Sequence, residues 1–195
     1  MLTISSIQDP QLAELLRKGS VGVIPTDTIY GLCTLASNHN AVARMYALKN
    51  REQKPGTLIA ASVDQLIALG IDEPTLRSVA DNWPNPISII IPSPPSLAYL
   101  DLELGGLAVR IPKDEALRKL IETVGVIVTT SANDPGKPPA NNLAEATGYF
   151  GDAVDFYVDG GDLSGRIAST VARATDTGLV VLRQGAVAVR EDQPG

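Results

Sequence analysis

The sequence predicts an α/β fold, a single domain over residues 1–195 with a twisted, mixed parallel and antiparallel sheet that carries helices on its faces. Three observations predict it. Short β-branched runs alternate with capped amphipathic stretches for most of the length, which is the pattern of strands joined by helices that pack back onto the sheet. Two closely spaced strands near the end, residues 169–174 and 179–183, read as an antiparallel hairpin, so the sheet is mixed. The chain has 195 residues, 44% hydrophobic and 19% charged, and a domain of this size buries roughly 70% of its unfolded surface.

Taken in order, Asp9-Pro10 caps and opens a helix that Gly19 stops. The strand VGVIP, Val21 to Pro25, runs into the polar turn Thr26-Asp27-Thr28, which also reads as an Asx turn or an N-cap starting a short helix. Apolar residues at helical spacing place a helix over 41–48. Beyond it Lys49, Arg51 and Lys54 lie in a segment closed by Pro55-Gly56; helix-end dipole pairing accounts for Lys49 but not for the other two, so an anion site is expected. TLIAA, from Thr57, is a strand, and Ser62 with Gln65 has capping-box spacing. A helix over 73–83 is broken by Trp83-Pro84-Asn85-Pro86, and Ile87 to Ile91 is a strand. Residues 92–106 lack a period and read as a loop.

Leu107 to Ile111 is a strand with an arginine in it. A guanidinium on an apolar strand is costly unless it pairs, so Arg110 must meet a carboxylate or face a cavity. A helix over 113–124 leads into the apolar run at Val126, which gives way to SANDPGKPPANN, a strand ending in a polar loop of the kind that holds ligands. The runs at Ile87 and Val126 read as central strands. Asn142 and Glu145 open a further helix to about Phe150, Val154 to Val158 is a strand, and the tail from about 186 is expected to fray. No repeat, low-complexity tract or interdomain linker stands out.

Composition excludes several chemistries. With one Cys and one His, the chain forms neither an internal disulfide nor a Cys/His zinc site, and any metal would be an oxygen-bound ion such as Mg²⁺ arriving with a phosphate ligand. No apolar run approaches the roughly 20 residues of a membrane helix, and the amino terminus lacks a signal peptide, which makes a cytoplasmic location the default and a membrane role unexpected. The net charge of −6 argues against nonspecific nucleic-acid binding as the main task. GxGxxG, HExxH, GxSxG and a complete phosphate loop are absent, and the single His39 reads as a surface residue at a helix start. What remains near predicted strand ends is a set of cations and small polar groups: Thr28, Lys49, Arg51, Arg110, Ser131, Asn133, Ser169 and Arg183. Such a set suits a polyanion, where catalysis is positioning and charge neutralisation, as in nucleotidyl transfer.

PTDTIYGL (25–32), KNR (49–51), WPNP (83–86), LAVRIP (107–112), TSANDPGKPP (130–139) and STVARA followed by VLRQG (169–185) stand in one order along the chain. In these six motifs it resembles the YrdC/TsaC family, the L-threonylcarbamoyladenylate synthases, from about Gln11 to Gly185. The resemblance implies an α/β fold around a central cavity and the joining of L-threonine, bicarbonate and ATP, with accompanying Mg²⁺, into threonylcarbamoyl-AMP with release of pyrophosphate. The product supplies the tRNA threonylcarbamoyl-transferase proteins that modify the adenosine beside the anticodon. It implies Lys49 and Arg51 as catalytic residues on the ATP phosphates, Ser131, Asn133 and Arg183 on the same nucleotide, and Thr28, Arg110 and Ser169 on threonine, with Arg110 pairing its carboxylate. The segment after KNR departs from the family pattern, leaving the next nucleotide contact open between Lys54 and Pro55, and no general base is named. An alternative of another class is a non-catalytic RNA-binding module of the same fold, with tRNA contact through the Lys49, Arg51, Lys54 and Lys137 patch.

Overall fold

The computed structural model describes residues 2–49 and 54–189. In chain order these form β1 (Leu2–Ile4), α1 (Pro10–Arg17), β2 (Gly22–Ile24), β3 (Gly31–Leu35), α2 (His39–Leu48), β4 (Thr57–Ile59), α3 (Val63–Ala68), α4 (Glu73–Val79), β5 (Ile87–Pro92), α5 (Ala98–Asp101), β6 (Gly106–Arg110), α6 (Glu115–Val124), β7 (Ile127–Ser131), α7 (Leu143–Phe150), β8 (Phe156–Val158), β9 (Thr170–Thr175) and β10 (Gly178–Arg183). The strands join one sheet in the order β1-β8-β2-β3-β7-β4-β6-β5-β9-β10. β1 with β8, β2 with β8, β4 with β6 and β5 with β9 pair parallel, and the other neighbours pair antiparallel.

Local chemistry sets the helix starts. Asp9, Asn38, Ser62, Asp72, Asp114 and Asn142 each accept a backbone N–H of the first turn, satisfying donors that no intrahelical carbonyl can reach. Several expectations need correction. Of the two apolar runs, β7 is central, whereas β5 stands third from one edge; Ile87, Ile89 and Ile91 are buried on its core face, while Ile90 on the other face lines a cavity. The segment 92–106 contains α5, too short at four residues to show a period. The turn after Pro25 leads into the strand β3 rather than a helix. Of the tail from 186, Ala186 donates to the Ala168 carbonyl and the Thr170 hydroxyl donates to the Val187 carbonyl, and residues 190–195 lie outside the described residues.

Side chains alternate faces along a strand, and the register sorts them into two layers. On one face Leu32, Leu58, Val128, Val109 and Ile89 pack with Val42 and Met45 of α2, Leu66 of α3 and Leu76 of α4. On the other, Ile24, Cys33, Ile59 and Ile127 pack with Leu12 and Leu16 of α1 and with Leu117 and Ile121 of α6, each large side chain adding roughly 1.5–3 kcal/mol of burial. This second face changes character along β7. Ile127 pairs with Leu35 and Ile59, but two residues on, Thr129 pairs with Cys33 and Thr57, and Ser131 pairs with Gly31. Where the aliphatic residues end, α1 and α6 no longer cover the sheet.

Candidate active site

On that uncovered part of the sheet lies a cavity of about 370 Å³ lined by residues from β3 to β7, β4, β6, β5, β9 and β10 and from the loops before β3, β4 and β9. Gly31 belongs to its floor. A Cβ there would stand 2.4 Å from the Thr129 hydroxyl, so only glycine lets β3 approach β7 at this point. Gly185 plays the same part at the far wall, where a Cβ would stand 2.3 Å from the Ala168 carbonyl oxygen.

Five of the eight residues singled out from the sequence line this cavity: Thr28, Arg110, Ser131, Ser169 and Arg183. Lys54 and Pro55 line it as well. Lys49 and Asn133 are buried behind it, 3% and 8% exposed, and Arg51 lies outside the described residues. Arg110 comes from β6 and meets Asp27 of the loop between β2 and β3, its Nη2 3.4 Å from Oδ1, each side chain 5% exposed. Both halves of the sequence argument for Arg110 therefore hold, since it meets a carboxylate and faces a cavity. Burial pushes the Arg110 guanidinium down in pKa, Asp27 opposes that, and Arg183 adds to it. The pairing is electrostatic without hydrogen-bond geometry, because Asp27 Oδ1 and Arg110 Nε both lack a hydrogen-bond partner. Asp27 Oδ2 accepts from the Lys113 backbone N–H at 3.1 Å.

The hydroxyls are oriented by the loop. Thr26 Oγ1 donates to the Ile29 carbonyl at 2.7 Å, so in its 3.0 Å contact with Thr28 it can only accept. Thr28 therefore spends its proton on Thr26 and turns lone pairs to the cavity. Ser131 Oγ donates to Asn133 Oδ1 at 2.7 Å and is left as an acceptor in the same way. Ser169 Oγ lies 3.1 Å from Ser88 Oγ, and its carbonyl accepts from Arg183 Nη2 at 2.8 Å, which ties β10 to the loop before β9. The sequence reading missed Asp27, Ser88 and Arg166, whose Nη1 donates to the Thr26 carbonyl at 2.8 Å. Asp27 stands within the TDT motif, and an arginine needing a counter-ion was the signal for it; Ser88 and Arg166 carried none.

Among the described residues no group of three or more His, Cys, Asp or Glu side chains is placed to hold a metal ion. None of the described helices is long and apolar enough to cross a membrane.

Residues 14–185 match the family model for Sua5/YciO/YrdC, described as "Telomere recombination". The chain is 32% identical over 182 residues to the threonylcarbamoyl-AMP synthase of Pseudomonas aeruginosa, covering 91% of this chain and 98% of that one. Among solved structures it is similar to Pyrococcus abyssi Sua5 complexed with L-threonine, with a TM-score of 0.81 and 30% identity over 94% of this chain. It spans 57% of that archaeal chain. Escherichia coli YciO matches with a TM-score of 0.80 and 25% identity, covering 97% of this chain and 96% of that one.

Proposed function

The chain belongs to the Sua5/YciO/YrdC family, and from that premise we propose that it is a threonylcarbamoyl-AMP synthase, a nucleotidyltransferase that joins L-threonine, bicarbonate and ATP. One observation carries the reading to this chain's own residues: a single cavity collects the guanidiniums of Arg110 and Arg183 together with the hydroxyls of Thr28, Ser131 and Ser169. Two fixed cations suit two anions, a carboxylate and a polyphosphate, and guanidinium binds either through paired charge-assisted hydrogen bonds. The relatives named as synthases favour catalysis over an RNA-binding module.

In this reading Arg110 takes the threonine carboxylate, with Thr28 and Ser169 beside it. Arg183, Ser131 and Asn133 serve the nucleotide, and Lys54 adds a cation on the same wall. Arg51 joins the phosphates on the strength of its motif. The threonine amine forms an N–C bond to the carbon of bicarbonate, which gives up water, and an oxygen of the resulting carbamate attacks the α-phosphorus. The bond from that phosphorus to the bridging oxygen breaks, and pyrophosphate leaves with the electron pair. The cations lower the barrier by holding charge where it develops, a function that needs fixed groups more than reactive ones. Mg²⁺ is expected as the counter-ion that accompanies ATP. The product would pass, in the cytoplasm, to tRNA threonylcarbamoyl-transferase proteins, with weak tRNA contact at the cavity rim.

The test is pyrophosphate release from ATP with bicarbonate and Mg²⁺, with L-threonine, with L-serine and with neither. Threonine-dependent release is expected; a folded protein that binds ATP and releases none under any of these conditions would defeat the proposal.

A further inference from the structure

Lys49 caps the carboxyl end of α2, its backbone N–H accepted by the Tyr46 and Ala47 carbonyls. Its side chain runs under the turn that follows β7. There Nζ donates to the Ser131 carbonyl at 2.9 Å, to the Asn133 side-chain oxygen at 2.8 Å and to the Asn133 carbonyl. An ammonium has three protons and no acceptor, and among the described residues these three oxygens match that number. The turn is built to match: Asn133 N–H donates to the Ser131 carbonyl, and the Ala132 carbonyl accepts from Ala140 N–H. Asn133 Oδ1 receives Lys49 and Ser131 together, and Asn133 Nδ2 donates onward to the Lys137 carbonyl at 2.5 Å.

We infer that Lys49 is a positioning residue: its ammonium gathers three oxygens of the 131–133 turn and so fixes, through the buried Asn133, the direction in which Ser131 faces the cavity. This departs from the direct phosphate contact that its motif implies, and it deepens the synthase reading, on which it rests for the nature of the ligand. The geometry favours it on two counts. Lys49 is not among the residues lining the cavity, and a phosphate could take one of its protons only by drawing the ammonium off the turn; the Ser131 carbonyl and Asn133 Oδ1 keep second donors in the Asn133 N–H and the Ser131 hydroxyl, so the cost falls on the Asn133 carbonyl. A compact, strongly charged head with three rotatable donors suits three converging oxygens, where a planar guanidinium would not.

The experiment replaces Lys49 by Met, which keeps the length and removes every donor. Backbone hydrogen exchange of residues 131–134 is measured with no nucleotide added, and dissociation constants are measured for AMP and for ATP. In Lys49→Met these amides should exchange roughly tenfold faster or more, because the turn loses three contacts and the Asn133 carbonyl is left unmet, which favours the open form. AMP and ATP should weaken by the same factor. Wild-type exchange rates in Lys49→Met, or a loss confined to ATP, would overturn the inference and restore a direct phosphate contact. If Lys49→Met does not fold, ammonium-detected NMR of the wild-type protein decides instead. The Lys49 Hζ protons should be protected without nucleotide and unmoved by ATP, and an unprotected signal, or one that ATP shifts, counts against the role. A wild-type protein that binds neither nucleotide would sink the synthase reading while the exchange result still stands.

Discussion

Replacing Asp27 by Asn strands a cation. Arg110 cannot shed its proton at neutral pH, and its side chain is 5% exposed with its charge 3.4 Å from the Asp27 carboxylate. At an effective dielectric near 20 that separation corresponds to about 5 kcal/mol of gross attraction, which offsets the desolvation of both groups. Removing one partner of a buried pair costs about 3–5 kcal/mol, and a chain of this length loses roughly 2–4 °C of Tm per kcal/mol, so Asp27→Asn should melt about 6–20 °C lower. Thermal unfolding by circular dichroism measures it, alongside Arg110→Met and the double variant. The double variant should be more stable than Asp27→Asn alone, because removing the guanidinium takes away the unpaired charge. L-Threonine should raise the Tm of Asp27→Asn more than that of the wild type, since its carboxylate would supply the missing anion. A Tm for Asp27→Asn within about 2 °C of wild type would show that Arg110 does not depend on Asp27 and refute the reasoning.

Three further outcomes follow from particular atoms. Thr130 Oγ1 is buried with no hydrogen-bond partner, so Thr130→Val, which keeps the shape, should stabilise by about 1 kcal/mol in urea denaturation; a loss of stability would reveal a hidden partner. Gly185→Ala puts a Cβ 2.3–2.5 Å from backbone atoms of Ala168 and Ser169, an overlap that costs about 1–3 kcal/mol and moves Arg183. Because Ser169 shifts with Arg183, the substitution should weaken both threonine and ATP by calorimetry, and unchanged ATP binding would detach Arg183 from the nucleotide. Burial pushes the Cys33 thiol up to about 12, whereas an unfolded cysteine ionises near 8.5. The native state therefore binds the extra proton between those values, so this contribution to stability is full below about pH 8.5 and is lost as pH rises toward the folded value. Iodoacetamide at pH 8.5 should label Cys33 only in urea, and rapid labelling of folded protein would contradict its burial.

What was legible in the sequence was mostly local. The caps at Asp9, Ser62 and Asn142 act within three residues of themselves, and the hairpin of β9 and β10 closes over two. β1 was missed because three residues carry almost no pattern, and their strand exists only by pairing with β8, more than 150 residues away. β3 was missed because GLCTL follows a polar turn and is buried on both faces, so no alternation marks it. The site divides along the same line. Thr28, Arg110, Ser131, Ser169 and Arg183 were visible as residue types at strand ends, and the fold brings them to one cavity. The need of Arg110 for a carboxylate was also visible, but not which carboxylate. The partners of Lys49 could not be read at all, since two of its three oxygens are backbone carbonyls, which every residue possesses.

The orientation of the hydroxyls constrains how this cavity can divide its ligands. Arg110 and Arg183 supply donors only, and Thr28 and Ser131, with their protons committed to Thr26 and Asn133, face the cavity as acceptors. Anionic ligand groups therefore belong at the guanidiniums, and groups with protons to give, such as an ammonium or a hydroxyl, belong at Thr28 and Ser131. L-Threonine carries both kinds, and so does a nucleotide with its phosphates and its ribose. Because Arg183 is already held by the Ser169 carbonyl, and Arg110 by the Asp27 charge, each binds an anion without first losing side-chain freedom. On the proposed synthase reading, Ser131 takes the hydroxyls of the nucleotide and arginine takes its phosphates. Ser131→Ala should then weaken ATP and AMP alike, whereas Arg183→Met should weaken ATP more than AMP, and the reverse ordering in paired calorimetric titrations would break the division.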